Sequence, residues 1–201
     1  MTVVILVLRL LAEAGALSAP LLVSLSRRRA TQPEAVMIHS TDGPIQSTSR
    51  APLISNLLAI LAFFCCLWGP FELPGLSESA NISLAALGLA VVIAGMVIML
   101  RARAALGDSW SFAPKASHGT GLATSGLYGH VRHPIYLGMA LLFFGTAVAF
   151  ANWLSILFAL LLIVPTLVWR ALVEERLLVH VFGDQYVAYR RQTKMFVPYL
   201  L

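Results

Sequence analysis

Residues Ile135–Trp169, IYLGMALLFFGTAVAFANWLSILFALLLIVPTLVW, run for thirty-five positions without a charge. That is too long for one membrane-spanning helix and just long enough for two short ones. Each arm would hold about 17 residues and measure about 26 Å at 1.5 Å per residue. Ala151-Asn152 is the expected turn of such a hairpin. Pro165 is expected to kink the second arm, because proline withholds one helical N–H.

The composition places the rest of the chain in the same solvent. Of 201 residues, 59% are hydrophobic and 11% charged, and the mean hydropathy is +0.83. A soluble domain of this length could not bury so much apolar surface. Several runs approach 20 residues and lack the alternation of a β-barrel. The reading is an all-α integral membrane protein, one membrane domain over 1–201, with about five transmembrane helices. The net charge of +5 is read as topogenic, not as affinity for nucleic acid. Cys65 and Cys66 are neighbours. They point in different directions on a helix and lack metal-ligand spacing, so they are read as packing residues.

Three spans are expected within 1–100. The first covers 2–25 and carries Arg9 and Glu13, four apart on one face, where they can pair or Arg9 can snorkel. The basic Arg27-Arg28-Arg29 follows this run, which marks a retained span and not a cleaved signal. Residues 30–51 read as a loop, with His39 solvated. Leu53–Pro70 is the second span and Ile82–Leu100 the third. Gly88 and Gly95 are seven apart and permit close helix packing. The connection 71–81 holds Glu72 and Glu78 but no Lys or Arg. Residues 101–134 form a long polar loop, 135–173 the hairpin, and 174–201 an amphipathic tail. Leu177, Leu178, Val181 and Phe182 recur there at helical spacing, Gly183 stops that piece, and Tyr186–Arg191 continue as a second helix. The tail is expected to lie on the membrane surface. Five spans put the basic residues on one side, giving an outside N-terminus and a cytoplasmic C-terminus.

Two polar clusters flank the hairpin. The first is Gly126–Tyr136, GLYGHVRHPIY. His133-Pro134 opens a helix, since proline suits the first helical position. A helix N-terminus attracts anions, so Arg132 and His133 make either a carboxylate or phosphate site or a simple interface anchor. The second cluster is Arg170, Glu174 and Glu175. Arg170 and Glu174 share a face, and the two carboxylates can hold a cation or a ribose hydroxyl, or simply cap the span. No serine elbow is present, and no cysteine lies near a histidine. His118, His130 and His133 lack a supporting Glu or Cys set, so no metal site is read. No GxGxxG or phosphate-loop motif occurs.

TSGLYGHVRHPIYLG, followed about forty residues later by EERLLVHVFGDQYVAYRRQTKMFVPYL, resembles the isoprenylcysteine carboxyl methyltransferase family of integral membrane enzymes. The resemblance covers roughly 95–201. It implies S-adenosyl-L-methionine as cofactor and 101–134 as a cytoplasmic cofactor loop. Gly121, Leu122 and Ala123 would run along the cofactor, mainly through backbone. Tyr128 would contact it, and His133, Pro134, Ile135 and Tyr136 would form its main wall. Glu174 would hold it from the last span, and Arg170 would face the methyl acceptor. The implied activity is O-methylation of the carboxylate of a prenylated cysteine or similar apolar acceptor. The alternatives are a phospholipid N-methyltransferase, a small-thiol S-methyltransferase, a non-catalytic scaffold and, more distantly, a nicotinamide-dependent reductase. An acceptor carboxylate is already ionised at neutral pH, so no general base is needed. An amine or thiol would want one, for which His130 or Glu175 is the candidate. The implied partners are a lipid-like acceptor and the bilayer. The oligomeric state is left open.

Overall fold

The computed structural model describes residues 3–25, 45–46, 51–106, 115–116 and 122–196. In chain order these form α1 (Val3–Leu25), β1 (Ile45–Gln46), α2 (Ala51–Leu67), α3 (Glu78–Leu106), β2 (Lys115–Ala116), α4 (Pro134–Ala149), α5 (Trp153–Phe158), α6 (Val164–Phe182) and α7 (Asp184–Gln192). The helical class holds, with one small addition. β1 and β2 pair antiparallel, Ile45 opposite Ala116, and join two segments that the sequence reads as plain loop.

Small residues at steps of three and four build the centre. α3 buries Ala85, Gly88, Val92, Gly95, Met99 and Ala102; α1 buries Ile5, Arg9, Ala12, Ala16, Ala19 and Val23. This 3.5-residue period keeps one seam facing a partner along the whole helix. The partner of the Gly88–Gly95 stripe is α4. A Cβ on Gly88 would come 2.5 Å from the Gly145 carbonyl oxygen, and one on Gly95 would come 2.7 Å from that of Gly138. Gly138 and Gly145 are themselves seven apart, so the stripes match. Close backbone approach lets dispersion and weak polar contacts act where lipid supplies no hydrophobic drive.

The hairpin turns where expected. Ala151 takes a positive φ of 49°, and Asn152 caps α5 by accepting a 2.9 Å bond from the Ser155 N–H. The Asn152 amide also donates to the carbonyls of Cys66 and Leu67, at 3.1 and 3.2 Å. It thereby closes orphan groups at the end of α2. Leu73 N–H donates to Ala151 O and Trp153 N–H to Phe71 O. The 71–81 connection and the hairpin turn thus meet at one end of the bundle. Pro165 disturbs the second arm as a π turn over Ala159–Ile163, with the Val164 N–H reaching five residues back to Ala159 O. Proline cannot supply its own N–H or accommodate the carbonyl of a regular turn, and the wider turn relieves both.

Arg9 corrects the first-span reading. Its Nη1 meets Glu72 Oε1 at 2.5 Å, its Nε donates to Ala149 O at 3.2 Å, and its guanidinium lies over Phe150. Glu13 accepts from Trp68 Nε1 at 3.0 Å. Arg9 faces the core on the 3–4 seam, so the carboxylate it reaches comes from the 71–81 connection and not from its own helix.

Among the described residues, three helical stretches are long and apolar enough to cross a membrane: Val3–Val23, Glu78–Leu106 and Trp153–Phe182. Ile54–Leu67 and Pro134–Ala149 are shorter apolar helices. Large apolar side chains such as Leu57, Leu87 and Leu161 point outward, as lipid-facing residues do. α6 runs through Glu174 without a break, so the tail begins as the end of the second arm. Gly183, at φ 51°, ends α6. Val181 and Phe182 then pack with Tyr186, Tyr189 and Leu122. The apolar face that the sequence assigns to the membrane surface is taken up in part by α7.

Candidate functional site

A short strap fixes the start of α4. Val131 bridges Lys194 in parallel, the Arg132 N–H donates to Lys194 O at 2.8 Å, and the His133 N–H donates to Met195 O at 3.1 Å. The chain beyond α7 therefore fixes the position of His130–His133. His133 is the N-cap residue and Pro134 the first helical residue. The proline costs nothing there, because that N–H would have no helical partner.

The His133 ring stacks on Tyr136 at 5.5 Å and 15°, and Phe196 tilts against it at 5.9 Å. The Tyr136 hydroxyl donates to Glu174 Oε2 at 2.7 Å. The Arg170 guanidinium carbon lies 5.3 Å from the centre of the Tyr136 ring. His133, Tyr136, Arg170 and Glu174 are thus gathered at the junction of α4 and α6.

The adjacent carboxylates diverge, since successive residues on a helix point about 100° apart. The Glu174 side chain is 32% exposed and that of Glu175 is 6% exposed. Glu175 Oε1 accepts from Arg132 Nε at 2.7 Å and lies 3.4 Å from His133 Nε2. Arg190 Nη1 approaches its other oxygen at 3.8 Å. Arg132 Nη1 donates to the carbonyls of Thr193 and Arg190. Arg132 is therefore engaged within the protein, and the anion it holds is the protein's own Glu175 carboxylate. A buried carboxylate requires a paired cation, and Arg132 fills that role.

Tyr128 is buried in a 3₁₀ turn over Gly126–Gly129, and its carbonyl accepts the Tyr189 hydroxyl at 2.7 Å. Burial pushes the Tyr128 phenol well above its ordinary range, and the nearby Glu174 charge adds to this, with Arg103 opposing. Tyr128 therefore stays a neutral hydroxyl facing the field of Glu174. Pro134 is fully buried, and Ile135 packs on the main core. Leu122 sits against the α6–α7 cluster, and Ala123 is half-buried. Gly121 lies outside the described residues.

Sequence reading missed the Glu175 hub and the roles of Arg103, Tyr186 and Tyr189. The last two form a YxxY pair at helical spacing inside a quoted motif. Arg103 looks like one more topogenic arginine, although it sits next to the buried seam of α3 and is itself buried. The chemistry that the site offers is specific. A part-exposed carboxylate and aromatic faces suit a cation bearing hydroxyls, and a guanidinium beside them suits an anion.

The profile of the phospholipid methyltransferase family matches residues 84–185, which contain most of this site. Protein-S-isoprenylcysteine O-methyltransferase of Schizosaccharomyces pombe is 36% identical over 77 residues, 38% of this chain and 33% of that protein. Methanethiol S-methyltransferase 1 of Bradyrhizobium diazoefficiens is 42% identical over 73 residues, 36% of this chain and 25% of that protein. The aligned stretch is thus a third or less of the length of these two relatives. Protein-S-isoprenylcysteine O-methyltransferase A of Arabidopsis thaliana is 30% identical over 168 residues, 83% of this chain and 84% of that protein. The solved structure of a eukaryotic intramembrane Ras methyltransferase, isoprenylcysteine carboxyl methyltransferase, superposes with a TM-score of 0.51 at 24% identity. It covers 78% of this chain and 55% of the other, and shares the fold. With its α4–α6 hairpin, its paired polar clusters and these matches, the chain belongs to the phospholipid methyltransferase family, in its isoprenylcysteine carboxyl methyltransferase-like branch.

Proposed function

We propose that this chain is an S-adenosylmethionine-dependent membrane methyltransferase that O-methylates the carboxylate of a prenylated cysteine or a similar apolar acceptor. The observation that carries the reading is the Glu174–Tyr136–Arg170 constellation. One aromatic ring is hydrogen-bonded to a carboxylate at 2.7 Å and covered by a guanidinium at 5.3 Å. A site with both charges about one side chain suits a cationic donor beside an anionic acceptor.

The residues fit the cofactor. Glu174 has exposed carboxylate surface for ribose hydroxyls or an ammonium group. His133, Pro134, Ile135 and Tyr136 would form a wall, with Tyr128 and the backbone of Gly121–Ala123 completing it. S-adenosylmethionine, when bound, supplies an electrophilic methyl group on a sulfonium. Arg170 orients the acceptor carboxylate, and Tyr136 fixes Glu174 relative to Arg170. The His133 ring, stacked on Tyr136 and tilted against Phe196, forms the aromatic part of that wall. No proton has to move, because the acceptor is ionised at neutral pH. Alignment alone can contribute about 7–11 kcal/mol.

The Arabidopsis relative, matched over most of both chains, supports the acceptor class. A small-thiol acceptor is the second reading, favoured by the similarity to methanethiol S-methyltransferase 1. It wants a base, and Glu175 is already held by Arg132 at 2.7 Å. In this reading all five apolar helices span the bilayer. α2 and α4, of 17 and 16 residues, would measure about 26 and 24 Å at 1.5 Å per residue. The N-terminus lies outside, and the cofactor site and C-terminus are cytoplasmic.

The test is transfer of a labelled methyl group by purified protein to three acceptors: an N-acyl-S-prenylcysteine, methanethiol and a phosphatidylethanolamine. Labelling of the prenylcysteine carboxylate as a base-labile ester is expected. Labelling of the thiol or the amine in its place overturns the carboxylate assignment.

A further inference from the structure

α2 contributes a polar side chain that no part of the mechanism above uses. Asn56 is 3% exposed, and its Nδ2 hydrogen-bonds to nothing among the described residues. An unsatisfied amide in an apolar helix is costly, all the more at membrane depth. Such a group persists where something else supplies its partner.

Its position in the fold narrows what that partner is. α2 and α4 run in the same direction, because both end at the Asn152 cap, where Asn152 binds the carbonyls of Cys66 and Leu67. The Phe63 and Phe143 rings meet edge-on at 5.2 Å. Seven residues before each, two turns up both helices, stand Asn56 and Tyr136. Two turns return a side chain to nearly the same face. Asn56 and Tyr136 therefore sit within about one helical turn of the same level, about 10 Å from the phenylalanine pair at 1.5 Å per residue. The Arg170 guanidinium lies over the Tyr136 ring at this level. Side chains on α2 lean toward its N-terminus and those on α6 toward theirs. The two helices run oppositely, so Asn56 and Arg170 lean toward each other.

We propose that Asn56 is an acceptor-binding residue: its Nδ2–H donates to the acceptor carboxylate, on the oxygen that does not take the methyl group. Arg170 and Asn56 then grip one carboxylate from two helices. The inference rests on the acceptor reading above, and it deepens that reading by making the carboxylate, not the apolar tail, the group this level of the bundle selects.

The test compares wild type, Asn56→Leu and Asn56→Asp as full-length chains in detergent. The acceptor is an N-acyl-S-prenylcysteine with a free carboxylate, and S-adenosylhomocysteine affinity is measured separately by calorimetry. Asn56→Leu should raise the acceptor KM about tenfold or more, the cost of a hydrogen bond to a charged group. It should leave S-adenosylhomocysteine affinity within about twofold and raise the Tm, because an orphan buried amide has been replaced by a hydrocarbon of similar size. Asn56→Asp should be more damaging to acceptor use than leucine, because it places like charge against the carboxylate. An unchanged acceptor KM in Asn56→Leu, or a lowered Tm, overturns the assignment while leaving the methyltransferase reading intact. A wild type that binds S-adenosylhomocysteine yet methylates no carboxylate acceptor overturns this assignment and the carboxylate-acceptor reading together.

Discussion

The Tyr136 hydroxyl donates to Glu174 Oε2 at 2.7 Å and so links the first turn of α4 to the last span. One residue further on, Glu175 turns inward to Arg132 at 2.7 Å. Two identical side chains therefore have different surroundings, one part-exposed beside Tyr136 and one buried on Arg132.

Glu175→Ala should destabilise the protein by about 3–5 kcal/mol, the usual effect of removing one partner of a buried ion pair. Arg132 would keep its carbonyl contacts but lose its counter-charge, and the strap to residues 193–195 would loosen. Thermal unfolding in detergent checks this. A Tm within a degree of wild type would contradict it.

Arg170→Ala should raise the acceptor KM by about tenfold or more and leave S-adenosylhomocysteine affinity nearly unchanged. The guanidinium lies over the Tyr136 ring and carries the charge suited to an acceptor carboxylate. Equal losses in both measurements would move Arg170 into the cofactor pocket.

Gly88→Ala should cost about 1–3 kcal/mol, as overpacking does. The added methyl would press on the backbone of Gly145 and Ala149, which cannot rotate away as a side chain can. Unfolding measurements on Gly88→Ala and on Ala86→Gly, which changes a neighbour off the stripe, compare the two faces. A larger loss for Ala86→Gly would overturn the matched-glycine account.

Stability should fall as pH rises from about 10 toward 12. Burial holds the Tyr128 and Tyr186 phenols above their ordinary range and pushes Tyr189 up to about 12. Below pH 10 these groups are neutral in both states and their contribution is complete. Above it the unfolded chain loses protons that the folded chain keeps, so unfolding is favoured. Tyr189→Phe should flatten part of this slope. A wild-type stability that stays level to pH 12 would rule it out.

The helices and the hairpin were legible in residues 135–169 because run length, Asn152 and Pro165 are local signals with fixed physical consequences. The matched spacing of Gly88 and Gly95 was legible too, though not which helix it meets. His133, Tyr136, Arg170 and Glu174 could be named from two short motifs, and the fold brings them together. Long-range pairing was the illegible part. Arg9 reaches Glu72 and Arg132 reaches Glu175 across 63 and 43 residues, where no periodicity points. The strap between 130–133 and 193–195 is too short to have a pattern. The face of α6 beyond Leu177 looked like a membrane-binding surface because amphipathicity reveals that a face is covered, not by what.

Calorimetric titration of S-adenosylhomocysteine into the detergent-purified chain, beside Glu174→Ala and Glu175→Gln, tests the central claim most directly. Saturable binding to wild type is expected, weakened about tenfold or more in Glu174→Ala and largely retained in folded Glu175→Gln. A well-folded wild type that binds no S-adenosylhomocysteine would contradict the methyltransferase site itself.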